Sequence, residues 1–112
     1  MALALPGVQE SSHFDTPDFR VNGKIFATLP GTDRMVVRMH PPDQAVLVAA
    51  EPSTFSPCPG AFGLKGWTIV QLESVEPDVL RDLLVDSWGQ IVGKRAAAAF
   101  EAVRSGRGGN GD

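Results

Sequence analysis

Two clusters of turn formers divide the stretch from Thr16 to Met39 into three runs rich in apolar residues, and these predict three consecutive antiparallel strands. Asn22-Gly23 marks the first turn, because a type I′ hairpin needs positive φ at both central residues. With these two at the tip, Val21 falls opposite Lys24, Arg20 opposite Ile25 and Phe19 opposite Phe26. Pro30-Gly31-Thr32-Asp33 makes the second turn. It sets Leu29 opposite Arg34, Thr28 opposite Met35, Phe26 opposite Val37 and Lys24 opposite Met39. Opposed residues share a face and neighbours swap faces. One face therefore carries Phe19, Val21, Phe26, Thr28, Met35, Val37 and Met39. The other carries Arg20, Arg34 and Arg38 among Ile25, Ala27, Leu29 and Val36, with Asp18 as its only acid. A slip of one residue in the second hairpin would scatter the arginines.

The rest of the chain supplies helices and two further strands. Met1 to Leu5 predicts the end of a short helix, stopped at Pro6-Gly7. Val8 to Asp15 is a polar lead into the sheet. Pro42 opens a helix through Ala50, with Asp43 in its first turn and Val46, Leu47 and Ala50 on an apolar stripe. Ser53 to Gly66 is an irregular loop anchored by Phe55, Phe62 and Trp67, with a short edge strand at Thr54-Phe55-Ser56. Trp67 to Leu72 is a strand by its β-branched content. Pro77 starts the longest amphipathic helix, whose Leu80, Leu83, Leu84, Ser87, Trp88 and Ile91 must cover the sheet. After Gly93, Lys94 to Val103 predicts an alanine-rich terminal helix. The pattern is that of an α+β domain over residues 1–104, with a glycine-rich, disordered tail over 105–112.

Composition narrows the function classes. The chain has 112 residues, 43% of them hydrophobic and 21% charged, enough for one core without staples. The single cysteine, Cys58, excludes an internal disulfide and suits a reducing compartment. No apolar run is long enough to span a membrane, and the N-terminus lacks a secretory pattern. The expected location is the cytoplasm. A net charge of −3 is unlike the basic balance of most nucleic-acid binders, although a local basic face fits on an acidic protein.

Catalytic and metal motifs are not evident. Glycines at 60, 63 and 66 lack the Gly-Lys-Ser/Thr ending of a phosphate loop. Cys58, between two prolines, has no adjacent base to activate it. His13 lies near Asp15 in a polar segment without a second ligand. Asp78, Asp82 and Asp86 form a ridge that reads as a solvated helix face. No catalytic residue, metal or cofactor is predicted; a cleft lined by Phe55, Phe62, Trp67 and Trp88 is the place to look for a ligand.

Several motifs in order give a resemblance. Leu5-Pro6-Gly7-Val8, Thr16-Pro17-Asp18-Phe19-Arg20-Val21 and Gly23-Lys24-Ile25-Phe26-Ala27 resemble the MmcQ/YjbR family of small bacterial proteins. Glu51-Pro52-Ser53-Thr54-Phe55, Gly66-Trp67-Thr68 and Ser87-Trp88 are similar to it as well, so the likeness runs from Leu3 to about Phe100. It implies a CyaY-like fold: an antiparallel sheet packed against helices, in the order helix, three strands, helix, two strands, helix, here with a C-terminal helix added. It also implies DNA binding, by analogy with a double-wing domain.

Two functions are carried forward. In the first, a non-catalytic protein contacts DNA phosphates through Arg20, Arg34 and Arg38, helped by Lys24 and Lys65. In the second, the mixed apolar and arginine face docks a protein partner. The oligomeric state is not fixed by the sequence.

Overall fold

The structure, a computed structural model, describes residues 5–13 and 16–109. The elements are β1 (Gln9–His13), β2 (Thr16–Val21), β3 (Lys24–Thr28), β4 (Arg34–Arg38), α1 (Pro41–Ala50), β5 (Phe55–Pro57), α2 (Ala61–Leu64), β6 (Trp67–Gln71), α3 (Pro77–Val92) and α4 (Lys94–Gly109). The strands form one antiparallel sheet in the order β1-β2-β3-β4-β6-β5. This is the expected α+β architecture, with two additions. The polar lead contains an edge strand, β1, whose Gln9 to His13 pair with Arg20 to Thr16. A short helix, α2, separates β5 from β6.

Met1 to Ala4 of the predicted first helix lie outside the described residues, as does Asp15, and Leu5 sits in a bend. At the other end α4 continues through Ser105 to Gly109, where glycine content predicts disorder. Helix propagation from Ala96 to Ala99 needs only one hydrogen bond per added residue, which is less demanding than nucleation. Residues 110–112 lie outside the described residues.

The first hairpin forms on its turn chemistry: Asn22 has φ 53° and Gly23 has φ 77°. Val21 pairs with Lys24 and Arg20 with Ile25, as the sequence predicts, but the next partner of Phe19 is Ala27 rather than Phe26. A β-bulge at Phe19/Arg20 leaves Phe26 as the extra residue of β3. The β3–β4 register is displaced by the same single residue: Ala27 pairs with Val37 and Thr28 with Val36. The expected pairs Phe26–Val37 and Thr28–Met35 are therefore corrected. Bulge and displacement offset each other. Met35 and Val37 stay in the core, and Arg34, Val36 and Arg38 stay on the other face of β4. Ala27 and Thr28 exchange roles, Ala27 being fully buried and Thr28 half-buried, and Leu29, expected on the arginine face, packs against the core.

Helix α3 covers one face, packing across β2, β3 and β4. Its Leu80, Leu84, Val85, Ser87 and Trp88 are buried, joined in the core by Phe19, Val21, Phe26, Met35, Val37, Phe55 and Val70. Burying each large apolar side chain removes about 1.5–3 kcal/mol of unfavourable hydration. Trp88 meets both demands on a buried indole: its ring is enclosed and its Nε1–H donates to the Pro6 carbonyl at 2.9 Å. Gly93 (φ 96°) ends α3 and lets α4 fold back on it, with Phe100 edge-on to Trp88 at 5.3 Å between ring centroids.

Gly66 joins α2 to β6 at φ 103°, and a Cβ there would overlap the Met39 carbonyl oxygen. The Met39 N–H donates to the Gly66 carbonyl at 3.0 Å, fixing this close approach. Gly66→Ala is expected to lower unfolding free energy by about 2–3 kcal/mol in denaturant melts. Gly23→Ala, at a turn where a Cβ meets nothing within 4 Å, should cost only about 1–2 kcal/mol. Equal losses at the two positions would contradict the close-approach account.

Candidate functional site

The sheet face opposite α3 carries Arg20, Ile25, Thr28, Arg34, Val36 and Arg38, continued on β6 by Trp67, Ile69 and Gln71 through the pairs Arg38–Trp67, Val36–Ile69 and Arg34–Gln71. Part of this face is roofed by the segment from Cys58 to Gly66. Gly63 makes the roof possible, since a Cβ there would overlap the Cys58 carbonyl oxygen. The Cys58 N–H in turn donates to the Trp67 carbonyl at 2.9 Å. Between roof and sheet lies an open groove of about 610 Å³, lined by Ile25, Val36, Cys58, Phe62 and Trp67, with Asp18 at its floor.

The floor is held by an ion pair. Asp18 is 1% exposed, and Arg20 donates to both its oxygens, from Nε at 2.8 Å and from Nη2 at 3.1 Å. A two-point guanidinium–carboxylate pair satisfies a carboxylate that would be costly to bury alone. The hydrogen bond to Asp18 raises the pKa of Arg20 above its ordinary value. Burial pushes the Cys58 thiol up, away from the reactive thiolate.

The five predicted contact residues, three arginines and two lysines, differ in what they already bind. Arg20 is committed to Asp18. Arg34 lies at the far end of β4, beside Gln71, and donates to Asp33 at 3.2 Å. Lys24, Arg38 and Lys65 are exposed and make no salt bridge among the described residues. They gather at the opposite end of the sheet. Lys65 precedes the Gly66–Met39 contact next to the Arg38–Trp67 pair, and Lys24 shares a cleft with Arg38. That cleft, about 240 Å³, is completed by Phe26, Ser87, Gln90 and Ile91.

The aromatic cleft expected from sequence is corrected. Phe62 and Trp67 line the groove, whereas Phe55 and Trp88 are buried in the core across the sheet. Phe62 is also no loop anchor, being 65% exposed. Asp78 accepts from Arg81 at 3.1 Å, and Asp82 and Asp86 line a cleft with His40 and Lys94 between α3 and α4. Among the described residues no three His, Cys, Asp or Glu side chains are grouped to hold a metal. No described helix is long and apolar enough to cross a membrane.

Sequence reading puts Asp18 on the arginine face but does not foresee its burial at the groove floor, and it misses the bulge. One signal for the bulge was present. Ile25-Phe26-Ala27 is three apolar residues in a row, one more than alternation on a two-faced sheet accommodates.

The comparisons agree with this architecture. No curated protein matches the chain. Among solved structures it is similar to the crystal structure of the Deinococcus radiodurans protein DR2400, which carries the domain DUF419. The two share 25% identity and superpose with a TM-score of 0.73 over 83% of this chain and 74% of that one. The family model described as YjbR matches residues 3–90. With most of its length matched and its sheet and helices arranged as described, the chain belongs to the YjbR family.

Proposed function

We propose that this YjbR-family chain is a non-catalytic DNA-binding protein that contacts backbone phosphates with Lys24, Arg38 and Lys65, at the end of the sheet where β3, β4 and β6 meet. The observation carrying the reading is the gathering of three exposed cations that make no salt bridge among the described residues. Such side chains are available to replace condensed counterions around DNA, which is the main source of sequence-independent affinity. Arg20 and Arg34 are placed in a lesser role, since each already satisfies an acid. The net charge of −3 confines contact to this end and keeps the affinity modest.

About three phosphate contacts give a slope near −3 for log K against log salt, with binding in the micromolar range at low salt. Arg38→Glu and Lys24→Glu should each weaken the mobility shift at least tenfold and flatten that slope by about 1. Arg34→Glu should do so by less than threefold. No shift by the unaltered protein at low salt, or equal loss from Arg34→Glu, would defeat the reading.

A second reading, a protein–protein module, is favoured by the groove. Phe62 (65% exposed) lines it, and Leu64, in the same short helix, is 82% exposed. Desolvating such side chains is the usual driving term of an interface core. Under this reading Phe62→Asp and Leu64→Asp abolish association, whether with a captured partner or between copies in sedimentation velocity, and leave the mobility shift unchanged. Unaltered association in both variants would exclude it.

A further inference from the structure

The small cleft at the end of the sheet has a construction that a general basic patch does not need. Only Ala27–Val37 and Thr28–Val36 join β3 to β4, and toward Lys24 and Arg38 the register stops. The bulge at Phe26 lies at this point. The Phe26 carbonyl accepts instead from the buried Ser87 hydroxyl of α3, at 3.3 Å, so the helix closes the opening from below. The space left, about 240 Å³, is bordered by Ile91 and by Lys24, Arg38 and Gln90, with the fully buried Phe26 behind it.

From this we infer that the cleft is a binding site for a single unbridged phosphate group, a monoester or the free ion, held by the Lys24 ammonium and the Arg38 guanidinium with the Gln90 amide as a further donor. The size suits one tetrahedral oxyanion rather than a length of duplex. A diester within a duplex meets the exposed Lys24 and Arg38 side chains from the surface, without entering the cleft. A monoester carries close to two negative charges at neutral pH and three accessible oxygens, matching two cations and an amide. Ser87 takes no part in donation, because its hydroxyl proton is on Phe26. Lys supplies a point charge and Arg a planar fork, a pairing common at phosphate sites. The inference rests on the reading of Lys24 and Arg38 as anion contacts, and it adds what kind of phosphate they take: free phosphate, or the terminal phosphate of a nucleic acid strand.

The test uses the full chain, labelled with 15N and titrated with inorganic phosphate at constant ionic strength. Amide shifts should saturate at Lys24, Phe26, Arg38 and Gln90, and remain unchanged around Arg34 and Gln71. Lys24→Gln and Arg38→Gln, both at exposed positions, should each weaken the fitted affinity at least tenfold while the melting temperature holds. A 5′-phosphorylated oligonucleotide binding at least tenfold tighter than its 5′-hydroxyl counterpart identifies a strand end as the source. Equal binding of the two, with saturable phosphate shifts at the cleft, supports the site with free phosphate as its ligand. Shifts spread evenly over Arg34, Lys94 and Arg95, or none at the cleft, overturn the inference. That last result together with a salt-dependent DNA shift would leave the DNA-binding reading standing. Cleft-confined phosphate shifts without any DNA shift would do the reverse.

Discussion

The extra residue in β3 governs the rest of the sheet. Phe26 has to be buried, and so does Ala27, yet a regular strand sends consecutive side chains to opposite faces. The bulge resolves this by setting both beside Phe19 on the helix side. Every residue of β3 before it then keeps the register of the Asn22-Gly23 turn, and every residue after it is displaced by one. Without that displacement, Val36 and Met35 would change places in the pairing and the two faces of the sheet would lose their separate characters.

The same device links the core to the surface. Because β3 and β4 pair over only two positions, the Phe26 carbonyl turns to Ser87 for its hydrogen bond, and α3 is fixed against the sheet at its second half. An unpaired buried carbonyl would cost about 1–3 kcal/mol, so the Ser87 hydroxyl is a structural requirement of the bulge. The parted strand ends carry Lys24 and Arg38, and the joint between β4 and β6, closed by Gly66 against Met39, brings Lys65 to the same end. Charge is thus assembled there by backbone geometry. On the face opposite α3, the buried Asp18 carboxylate offsets the charge of one arginine, Arg20.

Much of the architecture was legible in the sequence because its signals are local. The Asn22-Gly23 turn, Pro77 at the head of α3, and the 3.6-residue spacing of Leu80, Leu84 and Trp88 each act within a few residues. The strand Gln9–His13 was not legible: Gln-Glu-Ser-Ser-His is polar throughout, and it pairs with β2 at the sheet edge. The site was legible in residue type and not in arrangement. Arginines on one face follow from alternation, and so does Asp18 two residues before Arg20, but the burial of Asp18 and the bond from Arg34 to its neighbour Asp33 do not. Phe55 and Trp67 part likewise by register: Phe55 pairs with the core residue Val70, whereas Trp67 pairs with Arg38 on the other face.

The central claim is the compensated register, and cross-strand nuclear Overhauser effects measure it directly. The account predicts contacts of Thr28 with Val36, of Ala27 with Val37 and of Phe19 with Ala27, with Lys24 still opposite Val21. Backbone contacts that pair Thr28 with Met35 and Phe26 with Val37 would describe a sheet without the bulge, and would contradict it.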